Sequence, residues 1–146
     1  MAHAVHVIDD DDAVRDSLSE IFACESIAVA TYPSAAAFLK HVESLDPEYV
    51  LEADCILTDV EMPQMSGIEL ARRMKEINAL VPVIVMTARA SPALAAEAVS
   101  AGAMTFLPKP LDDGALLTAV RSAFAAYEAL LQGIHPGVQG DPDGGR

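Results

Sequence analysis

The chain has little of several residue types, and each shortage excludes a class of protein. It contains no tryptophan, only two cysteines and only four histidines among 146 residues. Two cysteines are too few for a disulfide framework. We therefore expect Cys24 and Cys55, which lie in apolar stretches, to be buried, reduced thiols. The histidines show no spacing typical of metal ligands, so no histidine metal site is expected.

Basic residues are scarce as well. Nine lysines and arginines stand against 22 acidic residues, for a formal net charge of −13. Such a surface repels phosphate backbones and anionic lipids, which argues against direct nucleic-acid binding by this segment and against membrane association. No apolar stretch reaches the roughly 20 residues that a membrane-spanning helix needs. A secretory signal is also lacking, so we expect a cytoplasmic protein.

The remaining composition is that of a globular domain, with 52% apolar and 21% charged residues. The length predicts one domain, which we assign to residues 1–132. Residues 133–146 are rich in glycine and proline and have few apolar anchors. This last segment is predicted to be a flexible tail or the start of a linker.

Strand and helix patterns alternate along the chain. The predicted strands span residues 4–9, 27–32, 53–58, 82–86 and 104–107. The predicted helices span residues 13–25, 34–45, a segment that begins after a Ser66 cap, residues 92–101 with a stop at Gly102, and a segment that begins at Asp112. Five such repeats predict an α/β fold with a doubly wound, flavodoxin-like parallel sheet. We expect strand order 2-1-3-4-5.

Polar side chains stand where four of these strands end. Asp9 and Asp10 follow the first strand, Asp59 the third, Thr87 the fourth and Lys109 the fifth. Ligand sites of open α/β sheets lie at the carboxyl ends of the strands, so the fold is expected to bring these groups together.

A cluster of three carboxylates repels itself unless a cation intervenes. Asp9, Asp10 and Asp59, helped by the backbone carbonyl of Glu61, therefore predict a site for Mg²⁺ or Mn²⁺. One carboxylate is then a nucleophile toward a phosphoryl group, with the Lys109 ammonium and the Thr87 hydroxyl beside it. Each residue also has a simpler interpretation, such as a helix start, a strand-end hydroxyl or a solvated loop lysine.

Several stretches of the chain together carry a family resemblance. They read VHVIDDD at 5–11, DVEMPQMSG at 59–67, VIVMTA at 83–88, AGA at 101–103 and FLPKP at 106–110. Over about residues 4–127 the chain resembles the CheY-like receiver domain of two-component response regulators. His6 and residues 31–35 resemble the receivers of FixJ-type transcriptional regulators in particular.

The resemblance implies a role for each matching residue. Asp59 corresponds to the phosphoryl acceptor, and the donor is a histidine kinase or a phosphotransfer protein. Asp9 and Asp10 correspond to the metal-binding acidic pair, with Asp10 the more direct ligand. Lys109 is the essential lysine, and it is expected to precede a cis peptide bond to Pro110.

Thr87 and Phe106 correspond to the hydroxyl and the aromatic ring of the family's conformational switch. Phosphorylation is then expected to change the surface of the fourth helix, fifth strand and fifth helix, for self-association or for an output partner. An aromatic residue on a short strand is also an ordinary core residue, which is the simpler interpretation of Phe106. Glu61 and Arg89 are expected to modulate the kinetics, with an ion pair between them across the mouth of the site.

Three alternatives stay open at this point. A haloacid-dehalogenase-like phosphatase also uses a strand-end aspartate, but it places a second aspartate where this chain has Glu61. A receiver-like protein that binds partners without phosphorylation would not need the intact acidic residues and Lys109. The chain also fits either a stand-alone receiver or the N-terminal part of a regulator.

Two departures from the family pattern are a long connection at residues 46–52 and an alanine-rich fourth helix.

Overall fold

The described strands form a single five-stranded parallel sheet. The computed structural model describes residues 3–45, 54–78 and 80–131. The strands, in chain order, are β1 (Ala4–Ile8), β2 (Ala28–Tyr32), β3 (Cys55–Asp59), β4 (Val83–Thr87) and β5 (Thr105–Pro108). They pair in the order β2-β1-β3-β4-β5, and every pair is parallel. The predicted doubly wound, flavodoxin-like fold is confirmed.

Five helices connect the strands and cover the sheet. They are α1 (Asp12–Cys24), α2 (Ala35–Glu43), α3 (Gly67–Ile77), α4 (Pro92–Ser100) and α5 (Asp113–Leu131). All five begin at side chains that accept hydrogen bonds from the first backbone amides, namely Asp11, Ser34, Ser66, Ser91 and Asp112. Gly102 has a φ of 99° just after α4, where a glycine is favoured, and the predicted helix stop is confirmed.

The sheet separates two apolar cores. Alternate residues of β1 point to opposite faces, with Val5 and Val7 on the α1 and α5 side and Ile8 on the side of α2, α3 and α4. Every residue of β3 and β4 is buried, as expected for central parallel strands that are covered on both faces. The helix α5 turns one apolar stripe toward the sheet, with Leu116, Val120, Phe124 and Tyr127 buried.

Some details of the sequence prediction are wrong. Cys24 is exposed because it lies on the outer face of the last turn of α1, whereas Cys55 is buried on β3 as expected. Burial raises the pKa of the Cys55 thiol to about 12, so it stays protonated near neutral pH. The interior position that helical periodicity gives Ile77 is also not found, because Ile77 ends α3 and is 45% exposed.

Other predictions concern parts of the chain that the structure does not describe. The connection at 46–52, the domain boundary at 132 and the segment 133–146 lie outside the described residues. Among the helices that are described, none is long and apolar enough to cross a membrane.

Candidate functional site

The carboxyl edge of the sheet collects the polar residues singled out in the sequence. Asp59 is the last residue of β3, and Thr87 is the last residue of β4. Asp9 and Asp10 directly follow β1, and Lys109 directly follows β5. Because β1, β3 and β4 are neighbours in the sheet, their ends meet in one place.

Three carboxylates form the centre of the site. Oxygen atoms of Asp9, Asp10 and Asp59 lie within 4.8 Å of one another, with Asp10 exposed and the other two buried. Asp9 is oriented by the backbone, because its Oδ1 accepts a hydrogen bond of 2.9 Å from the amide of Asp11. Asp11 itself caps α1 and does not join the cluster.

Lys109 supplies the positive charge next to the two buried carboxylates. Its Nζ lies 2.8 Å from Asp9 Oδ2 and 3.2 Å from Asp59 Oδ1. Burial alone would lower the pKa of Lys109, but the hydrogen bond and charge of Asp9, together with Asp59, raise it above its usual value. The ammonium is therefore charged. The Lys109–Pro110 peptide bond is cis, as predicted.

The surroundings of Asp59 favour the neutral form of its carboxyl group. Burial, followed by the charge of Asp9, raises its pKa from 3.8 to about 6, although Lys109 acts in the opposite direction. Its Oδ1 is buried, and no described residue gives it a hydrogen bond of good geometry despite the nearby ammonium. A buried carboxylate oxygen without a hydrogen bond, beside two more carboxylates, fits a hard divalent cation with oxygen ligands. The donor set is therefore suited to Mg²⁺ or Mn²⁺.

Thr87 is fully buried, and both functions of its hydroxyl are occupied. It donates a hydrogen bond of 2.6 Å to Glu61 Oε2 and accepts one of 2.9 Å from the backbone amide of Arg89. The ion pair predicted between Glu61 and Arg89 is wrong. Both residues lie in the described part of the chain, but no ion pair joins them, because the Glu61 carboxylate bonds to Thr87 and the Arg89 side chain is exposed.

Phe106 lies further from the carboxylates, on β5. This strand forms an edge of the sheet, and the ring is half-buried against the core on the side of α2, α3 and α4. The residue therefore has an apolar contact surface but is not enclosed.

The sequence analysis missed two residues that support the site. Arg15 on α1 donates a hydrogen bond of 2.7 Å to the backbone carbonyl of Asp9 and also pairs with Asp12. Gly67 begins α3 directly against the end of β3, where an added Cβ would lie 2.1 Å from the carbonyl oxygen of Asp59. A Ser-Gly pair after a loop hints at such a close approach, whereas no sequence pattern indicates the Arg15 contact.

The doubly wound parallel sheet, with three clustered carboxylates beside one ammonium at its carboxyl edge, defines a flavodoxin-like domain with a candidate metal site. The family model for the response regulator receiver domain matches residues 5–121. The chain belongs to this family and is a receiver domain of two-component response regulators. Receiver domains of response regulators interact with histidine kinases.

Within that family, the chain is similar in sequence and structure to several known response regulators. It is 47% identical over 119 residues to the transcriptional regulatory protein FixJ of Azorhizobium caulinodans, covering 82% of this chain and 54% of the relative. It is 33% identical over 122 residues to the response regulator protein TodT of Pseudomonas putida, covering 84% and 51%. The structure of full-length FixJ from B. japonicum superimposes with a TM-score of 0.76 at 36% identity, covering 88% of this chain and 61% of that one. The chain thus spans about half the length of the curated relatives it matches.

Proposed function

We propose that Asp59 accepts a phosphoryl group from the phosphohistidine of a histidine kinase or of a phosphotransfer protein. The observation that carries this proposal is the cluster of Asp9, Asp10 and Asp59 with the Lys109 ammonium between two of its carboxylates. Of the two buried carboxylates, Asp59 has the oxygen without a hydrogen bond, which supports it as the nucleophile.

The transfer is balanced with the groups at hand. A carboxylate oxygen of Asp59 forms a bond to phosphorus while the bond between phosphorus and the donor imidazole nitrogen breaks, and that nitrogen takes up a proton. Lys109 neutralises charge on the acyl phosphate. Asp9, Asp10, Asp59 and the Glu61 carbonyl would hold Mg²⁺ or Mn²⁺, which when bound offsets the charge of the phosphoryl oxygens.

The switch is proposed to involve Thr87 and Phe106. The Thr87 hydroxyl would turn toward the phosphoryl oxygens, and Phe106 would follow it inward from its half-buried position. The surface of α4, β5 and α5 would then change, for a homodimer or for an output partner. Support comes from α4, in which Ala98 is the buried residue and Val99 is 69% exposed.

The proposed role is that of a phosphorylated signalling domain rather than of an enzyme with turnover. A haloacid-dehalogenase-like phosphatase has a second aspartate at the position that Glu61 occupies here, and the Glu61 carboxylate accepts a hydrogen bond from Thr87. With a net charge of −13, this segment is not proposed to contact nucleic acid directly.

On the family resemblance we also propose a cytoplasmic location. Residues 1–132 are proposed to be the receiver unit, either alone or as the N-terminal part of a transcriptional regulator, with 133–146 as a tail or linker.

Intact-mass measurement after incubation with acetyl phosphate tests the acceptor. We expect a single phosphoryl adduct that requires Mg²⁺ or Mn²⁺ and maps to Asp59. Asp59→Asn should abolish the adduct. Lys109→Ala should reduce the amount of adduct or the change that phosphorylation causes at the α4, β5 and α5 surface. Asp16→Asn removes an exposed carboxylate from α1 and should leave labelling unchanged.

Two results would contradict this assignment. One is undiminished labelling of Asp59→Asn, and the other is full labelling of the natural chain in excess chelator. Continuous hydrolysis of a phosphate ester, instead of stoichiometric labelling, would restore the phosphatase alternative.

A further inference from the structure

The Thr87 hydroxyl donates a hydrogen bond to Glu61, which lies two residues beyond Asp59. Val60 extends the ladder beyond β3, since its amide donates a hydrogen bond of 2.9 Å to the carbonyl of Met86. Glu61 therefore follows a fixed backbone position and stands beside Thr87, the residue after Met86. The resulting O–H···O distance of 2.6 Å is typical of a hydroxyl that donates to a charged carboxylate.

A threonine hydroxyl has one hydrogen to donate. In this structure that hydrogen points to Glu61, and the same oxygen accepts from the Arg89 amide. The oxygens of a phosphoryl group on Asp59 can only accept from the threonine. Thr87 therefore cannot donate a hydrogen bond to the phosphoryl group until its hydrogen bond to Glu61 is broken. The Glu61 carboxylate and the phosphoryl oxygens compete for the same hydrogen.

We propose that the Glu61 carboxylate retains the Thr87 hydroxyl in the unphosphorylated state and thereby sets how far phosphorylation shifts the switch. This inference rests on the proposed function, in which Thr87 follows the phosphoryl group. Glu61 is a positioning residue here, because it acts through Thr87 rather than on the reacting atoms.

The competition makes the switch harder to operate in this chain than with an apolar residue at position 61. A ligand shifts an equilibrium only by its differential affinity for the two states, and the lost bond to Glu61 subtracts from that difference. Glu61 is half-buried, so its carboxylate can turn out to solvent once Thr87 leaves it. A separate effect is direct: the negative charge of Glu61 repels an incoming anion whether or not Thr87 carries a hydroxyl.

A double-mutant cycle separates retention of the hydroxyl from simple repulsion. The apparent affinity for beryllofluoride with Mg²⁺ is measured for the natural chain, Glu61→Ala, Thr87→Val and the double variant. We expect Glu61→Ala to bind about tenfold more tightly, as the loss of a hydrogen bond to a charged group implies. In the Thr87→Val background the same substitution should give only the smaller gain that comes from relief of charge repulsion. Glu76→Gln, at the far end of α3, removes one exposed charge and should bind as the natural chain does.

A second measurement needs no phosphoryl mimic. The Arg89 amide bonds to the Thr87 oxygen, so its hydrogen exchange reports where that oxygen is. Glu61→Ala should speed Arg89 exchange severalfold in the apo protein, and Glu76→Gln should not.

The outcomes separate this inference from the proposed function. An equal gain in affinity from Glu61→Ala in both Thr87 backgrounds would show repulsion alone and overturn the proposal. No gain in the natural background, or unchanged Arg89 exchange, would also overturn it. If acetyl phosphate does not label Asp59 in the natural chain, the proposed function itself fails.

Discussion

At the scale of single residues, Asp59 combines two opposing requirements. Its raised pKa shows that the metal-free site disfavours the charged carboxylate, although a nucleophile must be charged. A bound cation resolves this conflict, because it favours the ionised form of all three carboxylates. Without a cation, ionised Asp59 therefore lowers the free energy of unfolding.

The pKa of Asp59 predicts how stability depends on pH in excess chelator. Between about pH 4 and pH 6 the folded protein keeps a proton that the unfolded chain has released, so the free energy of unfolding falls as pH rises through this range. Asp59→Asn removes that loss. At pH 7.5 the variant should be more stable than the natural chain by about 2–3 kcal/mol, and the difference should shrink toward pH 4.

Urea denaturation at several pH values measures this difference. Asp16→Asn, on the exposed face of α1, is the control and should show a much smaller effect. Excess Mg²⁺ should reduce the advantage of Asp59→Asn, since the cation offsets the repulsion only in the natural chain. A variant that is less stable than the natural chain at pH 7.5 would show that Lys109 outweighs burial.

Single residues also show what the sequence can and cannot predict. Asp9, Asp10, Thr87 and Lys109 were predicted correctly to meet because they end parallel strands, and strand order alone decides which ends are neighbours. The bond from Thr87 to Glu61 depends on side-chain rotamers, which leave no periodic signal. Cys24 was misplaced because its apolar neighbours in sequence are turned away from it by the 100° step of a helix.

At the scale of elements, the contact between the end of β3 and the start of α3 limits the site. Only a glycine fits at position 67, since a Cβ there would overlap the backbone of Asp59. The backbone cannot move away cheaply, because the Gly67 amide also donates a hydrogen bond of 3.0 Å to the carbonyl of Val60. The start of α3 thus fixes the backbone position of Asp59 in the site.

Gly67→Ala should therefore lower the free energy of unfolding by about 1–3 kcal/mol, the usual cost of overpacking. It should also slow phosphorylation of Asp59, because the carboxylate is displaced. The matched control is Gly114→Ala, near the start of α5, where the nearest atom to an added Cβ is a carboxylate oxygen of Asp112 at 3.3 Å. That oxygen accepts a hydrogen bond from the Ala115 amide and needs to shift by only a few tenths of an ångström, while alanine favours the helix by up to about 1 kcal/mol.

Chemical denaturation and the rate of acetyl phosphate labelling distinguish the two variants. If Gly67→Ala and Gly114→Ala behave alike in both measurements, the close approach of α3 to Asp59 affects neither the free energy of unfolding nor the rate of labelling.

At the scale of the whole molecule, the helices differ in how firmly they are attached. The buried residues of α2 are Ala35, Phe38, Leu39 and Val42, whereas α4 has Ala98. Elements with few buried apolar contacts open most easily. The difference places the least anchored helix next to β5 and Phe106.

Amide exchange with and without beryllofluoride and Mg²⁺ tests whether that helix responds. We expect protection to change in α4 and β5 as well as in the loops around Asp59, while α2 serves as the internal reference and stays constant. Changes that are confined to the loops around Asp59 would contradict a switch that reaches the α4, β5 and α5 surface.

The strand β5 has one further consequence, for how two copies of the molecule can meet. It is an edge strand of four residues that ends in Pro108, and Pro110 follows close behind. A proline has no amide hydrogen to offer, and short edge strands are poor templates for another chain. Continuation of the sheet from one molecule into the next is therefore disfavoured at this edge. An assembly formed here must be held by side chains, which can be released again, and not by a shared backbone ladder, which would tend to grow into fibres.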